Sequence, residues 1–99
     1  MIIAVSTHGV ELQAADDFKG FKIVAAAGLS GAALAQTLAG IATVEADGKT
    51  AWVNRDAVKR LRGAPPPADW VAAFDKMVES VRRFGWVKDD TVRAHIEAA

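Results

Sequence analysis

His8 and His95 are the only imidazoles in the chain. With a carboxylate such as Glu97 or Glu11 they would form a two-histidine, one-carboxylate site for a divalent metal, if the fold brought them together. Their spacing is too long for a local motif, and isolated surface histidines account for both. Hydroxyl chemistry fares no better: Ser6, Ser30 and Ser80 lack a neighbouring base in the sequence. Gly28-Leu29-Ser30-Gly31 approaches a nucleophile elbow, but Ala32 stands where G-x-S-x-G needs its second glycine. The same turn leads from an expected strand into an expected helix, so its free backbone N–H groups make Gly28, Ser30 and Gly31 a weak candidate anion site. It lacks the Gly-Lys-Ser/Thr ending of a phosphate loop and the third glycine of a dinucleotide fingerprint. A tight turn and a helix cap explain it equally well. No catalytic residue is assigned, and neither a cofactor nor a metal is expected. The absence of cysteine removes disulfides, thiolate zinc sites and a cysteine nucleophile together.

Charge gives a second set of candidates. Twelve basic and twelve acidic side chains cancel, so no global field draws in nucleic acid or an anionic membrane. The balance is uneven along the chain: residues 1–48 carry two basic and five acidic side chains, a charge of −3, and residues 49–99 carry ten and seven, a charge of +3. Arg55, Lys59, Arg60 and Arg62 cluster on one expected helix and are placed to meet phosphates. The order of two helices, Gly85-Trp86-Val87, a turn and a strand parallels a winged-helix arrangement by analogy alone. Asp56, Asp69, Asp75, Asp89 and Asp90 dilute the patch, and a solvated helix face explains it. Opposed charge halves also fit two copies docking on one another, since charge complementarity orients partners. Trp52 and Trp86 join Arg55, Lys59, Arg60 and Arg62 as a possible interaction surface, because tryptophan is enriched at contact hot spots.

Elements must position these groups. Ile2, Ile3, Val5 and Val10 and the run Phe21–Ala25 predict two or three short strands around a Ser-Thr-His-Gly turn. Ser30 is the expected cap of a short helix whose apolar face includes Leu34 and Leu38, ended by Gly40. Ile23 to Val44 carries no charge over a length that spans a bilayer, yet it is mostly Ala, Gly, Ser and Thr and reads as strand, turn, helix and strand. Asp47-Gly48 between two alternating segments predicts a two-residue type I′ hairpin. Asn54 is the expected cap of a helix over Arg55–Arg62 that buries Ala57, Val58 and Leu61 and ends at Gly63. Ala64-Pro65-Pro66-Pro67 is a stiff spacer. Trp70, Ala73, Phe74, Met77, Val78, Val81 and Phe84 follow helical spacing up to Gly85. Thr91–Glu97 alternates strictly, with Val92, Ala94 and Ile96 inward, and is expected to close the sheet.

Of the residues counted as hydrophobic, 52% of the chain, twenty-one are alanines, which leaves about thirty larger side chains for the core. Burial therefore depends on three tryptophans and four phenylalanines. A 99-residue chain predicts one domain, residues 1–99, of class α+β. The expected architecture is a small antiparallel sheet packed against one long amphipathic helix, with two shorter helices. The expected function is a small non-enzymatic interaction module, homodimeric and cytoplasmic, with no membrane association. The alternatives are a nucleic-acid-binding regulator using the basic helix face, and a small enzyme or ligand-binding subunit with a site between protomers.

Overall fold

β-Branched and apolar residues alternate early in the chain, and three strands form there: β1 (Ile2–Ser6), β2 (Gly9–Gln13) and β3 (Lys22–Ala25). These come from a computed structural model that describes residues 1–99. Helix α1 (Gly31–Thr37) and strand β4 (Ala42–Val44) follow, so the uncharged stretch is strand, turn, helix and strand as its composition predicts. No helix of the protein is long and apolar enough to cross a membrane. Strand β5 (Thr50–Asn54) runs directly into helix α2 (Arg55–Arg62). The Asn54 side chain accepts a hydrogen bond from the Ala57 amide at 2.9 Å, which satisfies one of the free donors of the first turn. The proline segment connects α2 to helix α3 (Ala68–Val81), which passes through a 3₁₀ turn (Arg82–Phe84) into strands β6 (Val87–Lys88) and β7 (Thr91–Ala98).

The architecture corrects the expected one. In place of a small antiparallel sheet on one long helix, a seven-stranded mixed sheet dominates, ordered β2-β1-β3-β7-β5-β4 with β6 against β7, and it curls into a half-barrel. β1 pairs with β3, and β3 with β7, in parallel; the other pairs are antiparallel. Alternation in a sequence reveals which face of a strand is buried and is silent about direction and neighbours. Direction is set here by the 14–21 loop, which carries the chain back past β1 so that β3 starts level with it. The Met1 carbonyl accepts from the Lys22 amide at 3.2 Å. Curvature follows from α2, which touches both β2 and β5. Four strand spacings of about 4.8 Å would hold those strands roughly 19 Å apart in a flat sheet, too far for one helix about 10 Å across.

Two further expectations are corrected. Strand β7 has its predicted faces, Val92 and Ala94 buried and Arg93, His95 and Glu97 exposed, but it lies in the middle of the sheet instead of closing it. Its partners change along its length: β6 flanks Thr91 and Val92, β3 flanks His95 to Ala98, and β5 runs along the opposite side. A free wing is therefore absent. The Asp47-Gly48 turn is wider than a type I′ hairpin, which needs positive φ at both central residues. Only Gly48 has it (φ 70°), while the Asp47 carboxylate accepts from the Lys49 amide at 2.9 Å and holds the turn through its side chain.

One core lies between the inner face of the sheet and the three helices, uniting Ile3, Val5, Ile23, Val53 and Val92 with Leu34, Leu38, Val58, Trp70, Phe74 and Val78. Trp70 stacks on Phe74 with ring centroids 5.2 Å apart and planes 6° from parallel. The predicted helical face is buried at Trp70, Phe74 and Val78, but α3 ends at Val81, and Phe84 in the 3₁₀ turn is 55% exposed.

Candidate functional site

The change of partner along β7 leaves a notch at Arg93 and Ala94, between the start of β6 and the start of β3. Phe21 precedes β3 and Trp86 precedes β6, so register alone brings both aromatic residues to this point. Packing then holds them. Phe18 lies 6.1 Å from Trp70 and Phe21 meets Phe74 edge-on at 6.5 Å, while the Trp70 indole donates to the Ala15 carbonyl at 2.8 Å. These contacts pin the 14–21 loop to α3. On the other side, Gly85 takes a left-handed conformation (φ 76°), which few residues other than glycine adopt readily, and the Trp86 carbonyl accepts from the Arg93 amide at 2.8 Å.

Phe21, Thr50, Trp86, Arg93, Ala94 and His95 line a half-open space of about 90 Å³ in the notch. A groove of about 440 Å³ opens beside it, sharing Phe21, Trp86, Arg93 and His95 and adding Lys19, Met77 and Val81. Neither space has an aspartate or glutamate in its lining. Lys19, Arg93 and His95 make no side-chain ion pair. Thr50, 5% exposed, stands opposite His95 in the β5–β7 register, and its Oγ1 is buried with no hydrogen-bond partner. A buried hydroxyl left unpartnered costs roughly 1–3 kcal/mol.

This arrangement presents hydrogen-bond donors and aromatic surface. No hydrogen bond links Thr50 to His95, and no carboxylate orients the imidazole, so the nucleophile, base and orienting group of hydrolytic catalysis do not converge here. Beside the notch, Phe84 and Trp86 sit 5.2 Å apart, with the Arg83 guanidinium 4.9 Å from the Phe84 ring centre. Phe84 and Trp86, at 55% and 40% exposed, are the large apolar side chains left in solvent.

The residues singled out by sequence are dispersed. Arg55 and Lys59 both pair with Asp75, at 3.3 and 3.1 Å, and Arg62 lies over the Trp70 ring at 5.9 Å. Of that basic cluster only Arg60 is exposed and outside these contacts. Trp52 is half-buried and donates its indole N–H to Glu45 at 2.6 Å. Trp86 alone among the candidate tryptophans borders open space. Ser30 occupies the cap position of α1 without a side-chain cap bond, and α1 has only seven residues. Ser30 and Gly31, without Gly28, line a cavity whose one charged lining residue is Glu45, the wrong sign for an anion. His8 lies in the β1–β2 turn, past the C-terminal end of β1, whereas His95 is in the row of Lys22 and Ile2 at the opposite end. No group of three histidine, aspartate or glutamate side chains is placed to hold a metal ion.

Sequence reasoning did not assemble the notch. Arg93 and His95 were readable as neighbours on one outward strand face. Thr50 and Phe21 join them only through strand register and loop packing, for which no local signal exists. Compared with known proteins, the chain matches no protein family, no curated protein and no solved structure.

Proposed function

We propose that the protein is a non-enzymatic interaction module of the cytoplasm that self-associates through the surface around Phe84 and Trp86. The observation that carries this reading is the exposed aromatic pair itself, contiguous and capped by Arg83 in a chain that buries its other aromatic residues wholly or in part. Aromatic residues and arginine are the side chains most enriched at the centres of protein contacts. A second copy is the occupant that charge favours. Lys88 and Arg93 lie near the pair, with Asp89 and Asp90 in the turn beside Lys88, and the chain's own excess of acid is in residues 1–48, with Glu11, Asp16 and Asp17 exposed. A twofold contact would set each positive surface against the negative surface of the other copy.

Sedimentation velocity across the micromolar range tests the proposal. The wild-type chain is expected to shift from monomer to dimer with concentration, and Phe84→Ser, which alters an exposed side chain, to remain monomeric. A wild-type monomer at every concentration, or an undiminished Phe84→Ser dimer, overturns it.

A further inference from the structure

Independently of self-association, we propose that the notch on β7 binds a small free aryl carboxylate. The ring lies against Phe21 and Trp86, and the carboxylate meets Arg93 and His95. Size separates the two parts of the ligand. The smaller space, about 90 Å³, is the share of roughly three waters and suits a carboxylate. The adjoining groove of about 440 Å³ has room for the ring and supplies the aromatic walls.

Charge and hydrogen bonding select the head group. Lys19, Arg93 and His95 line the two spaces without a facing carboxylate. The adjoining surface carries Asp17 and Glu97, and Glu97 is held by Lys22 at 3.0 Å. Thr50 also lines this space, with its Oγ1 buried and unpartnered behind the surface. Hydrogen bonds to charged acceptors are stronger than neutral ones, so an acid should outcompete an alcohol of the same shape. Inorganic phosphate would satisfy the cations and leave the aromatic walls uncovered.

The test is a titration of the ¹⁵N-labelled full chain, followed by amide and indole chemical shifts. Benzoate is expected to move Thr50, Arg93, His95 and the Trp86 indole, and to bind about tenfold more tightly than benzyl alcohol or inorganic phosphate. N-acetylphenylalanine presents ring and carboxylate as a peptide terminus would, and is expected to bind more weakly than benzoate. Arg93→Gln should weaken benzoate about tenfold; Arg93 is exposed, so its replacement tests the site without disturbing the core. The proposal is overturned by equal affinity for benzoate and benzyl alcohol, by tighter binding of phosphate or N-acetylphenylalanine, by shifts confined to residues outside the notch, or by unchanged affinity in Arg93→Gln. Trp86 and Arg93 also border the Phe84 surface, so the titration is run on Phe84→Ser, which keeps the notch residues and separates ligand binding from self-association.

Discussion

Thr50 and His95 face each other across the β5–β7 pair, yet the threonine is shut away from water while the histidine is exposed to it. The difference marks the inner wall and the rim of the notch. It also leaves Thr50 Oγ1 as a polar atom without a partner.

Thr50→Val should therefore leave the unliganded protein as stable as the wild type, or more stable by up to about 1 kcal/mol, because it replaces an unpaired hydroxyl with a methyl group of similar shape. Urea unfolding midpoints measure this. A loss of more than about 1 kcal/mol would mean that the hydroxyl contributes a bond in the folded chain.

Asn54, the last residue of β5, caps the first turn of α2 through its side chain. Asn54→Ala should cost about 1 kcal/mol, a fall in Tm of roughly 4–8 °C for a chain of this size. Asn54→Asp, which keeps an accepting oxygen, should recover most of it. A thermal melt with Asn54→Ala at the wild-type temperature would contradict the capping role.

The Glu79–Arg82 pair gives a pH dependence of defined sign. Arg82 donates through two nitrogens to Glu79, at 2.8 and 2.9 Å. That hydrogen bond holds the Glu79 carboxyl below its usual range and raises Arg82, which stays charged throughout. The folded chain therefore binds this proton less readily than the unfolded chain. The stabilisation is fully present above the unfolded carboxyl pKa and is lost as pH falls through the lowered folded value. Both groups are exposed, so the effect is small. Measured as Tm against pH, the difference between wild type and Glu79→Gln should exist at neutral pH and close in acid. A difference that persists in acid would have to come from packing.

Much of the local structure was legible. The α2 boundaries, its Asn54 cap, the buried stripe from Trp70 to Val78 and the two faces of β7 follow from spacing and side-chain type, because those signals act within a few residues. Phe84 continues the apolar spacing but lies outside the buried stripe, because the backbone tightens into a 3₁₀ turn there. The basic helix failed as a cluster for a different reason: the charges that neutralise Arg55 and Lys59 come from Asp75 on another helix.

Strand identity, helix caps and the inward or outward face of each residue were thus determined by the sequence itself, through short-range sterics and the tendency of apolar groups to leave water. Strand order, the parallel pairs and the notch were decided only by tertiary structure. Phe21, Thr50, Trp86 and His95 are far apart in the chain, and they meet because β7 exchanges β6 for β3 partway along its length. That exchange depends on the simultaneous packing of α3, the 14–21 loop and the curled sheet, which no single segment encodes.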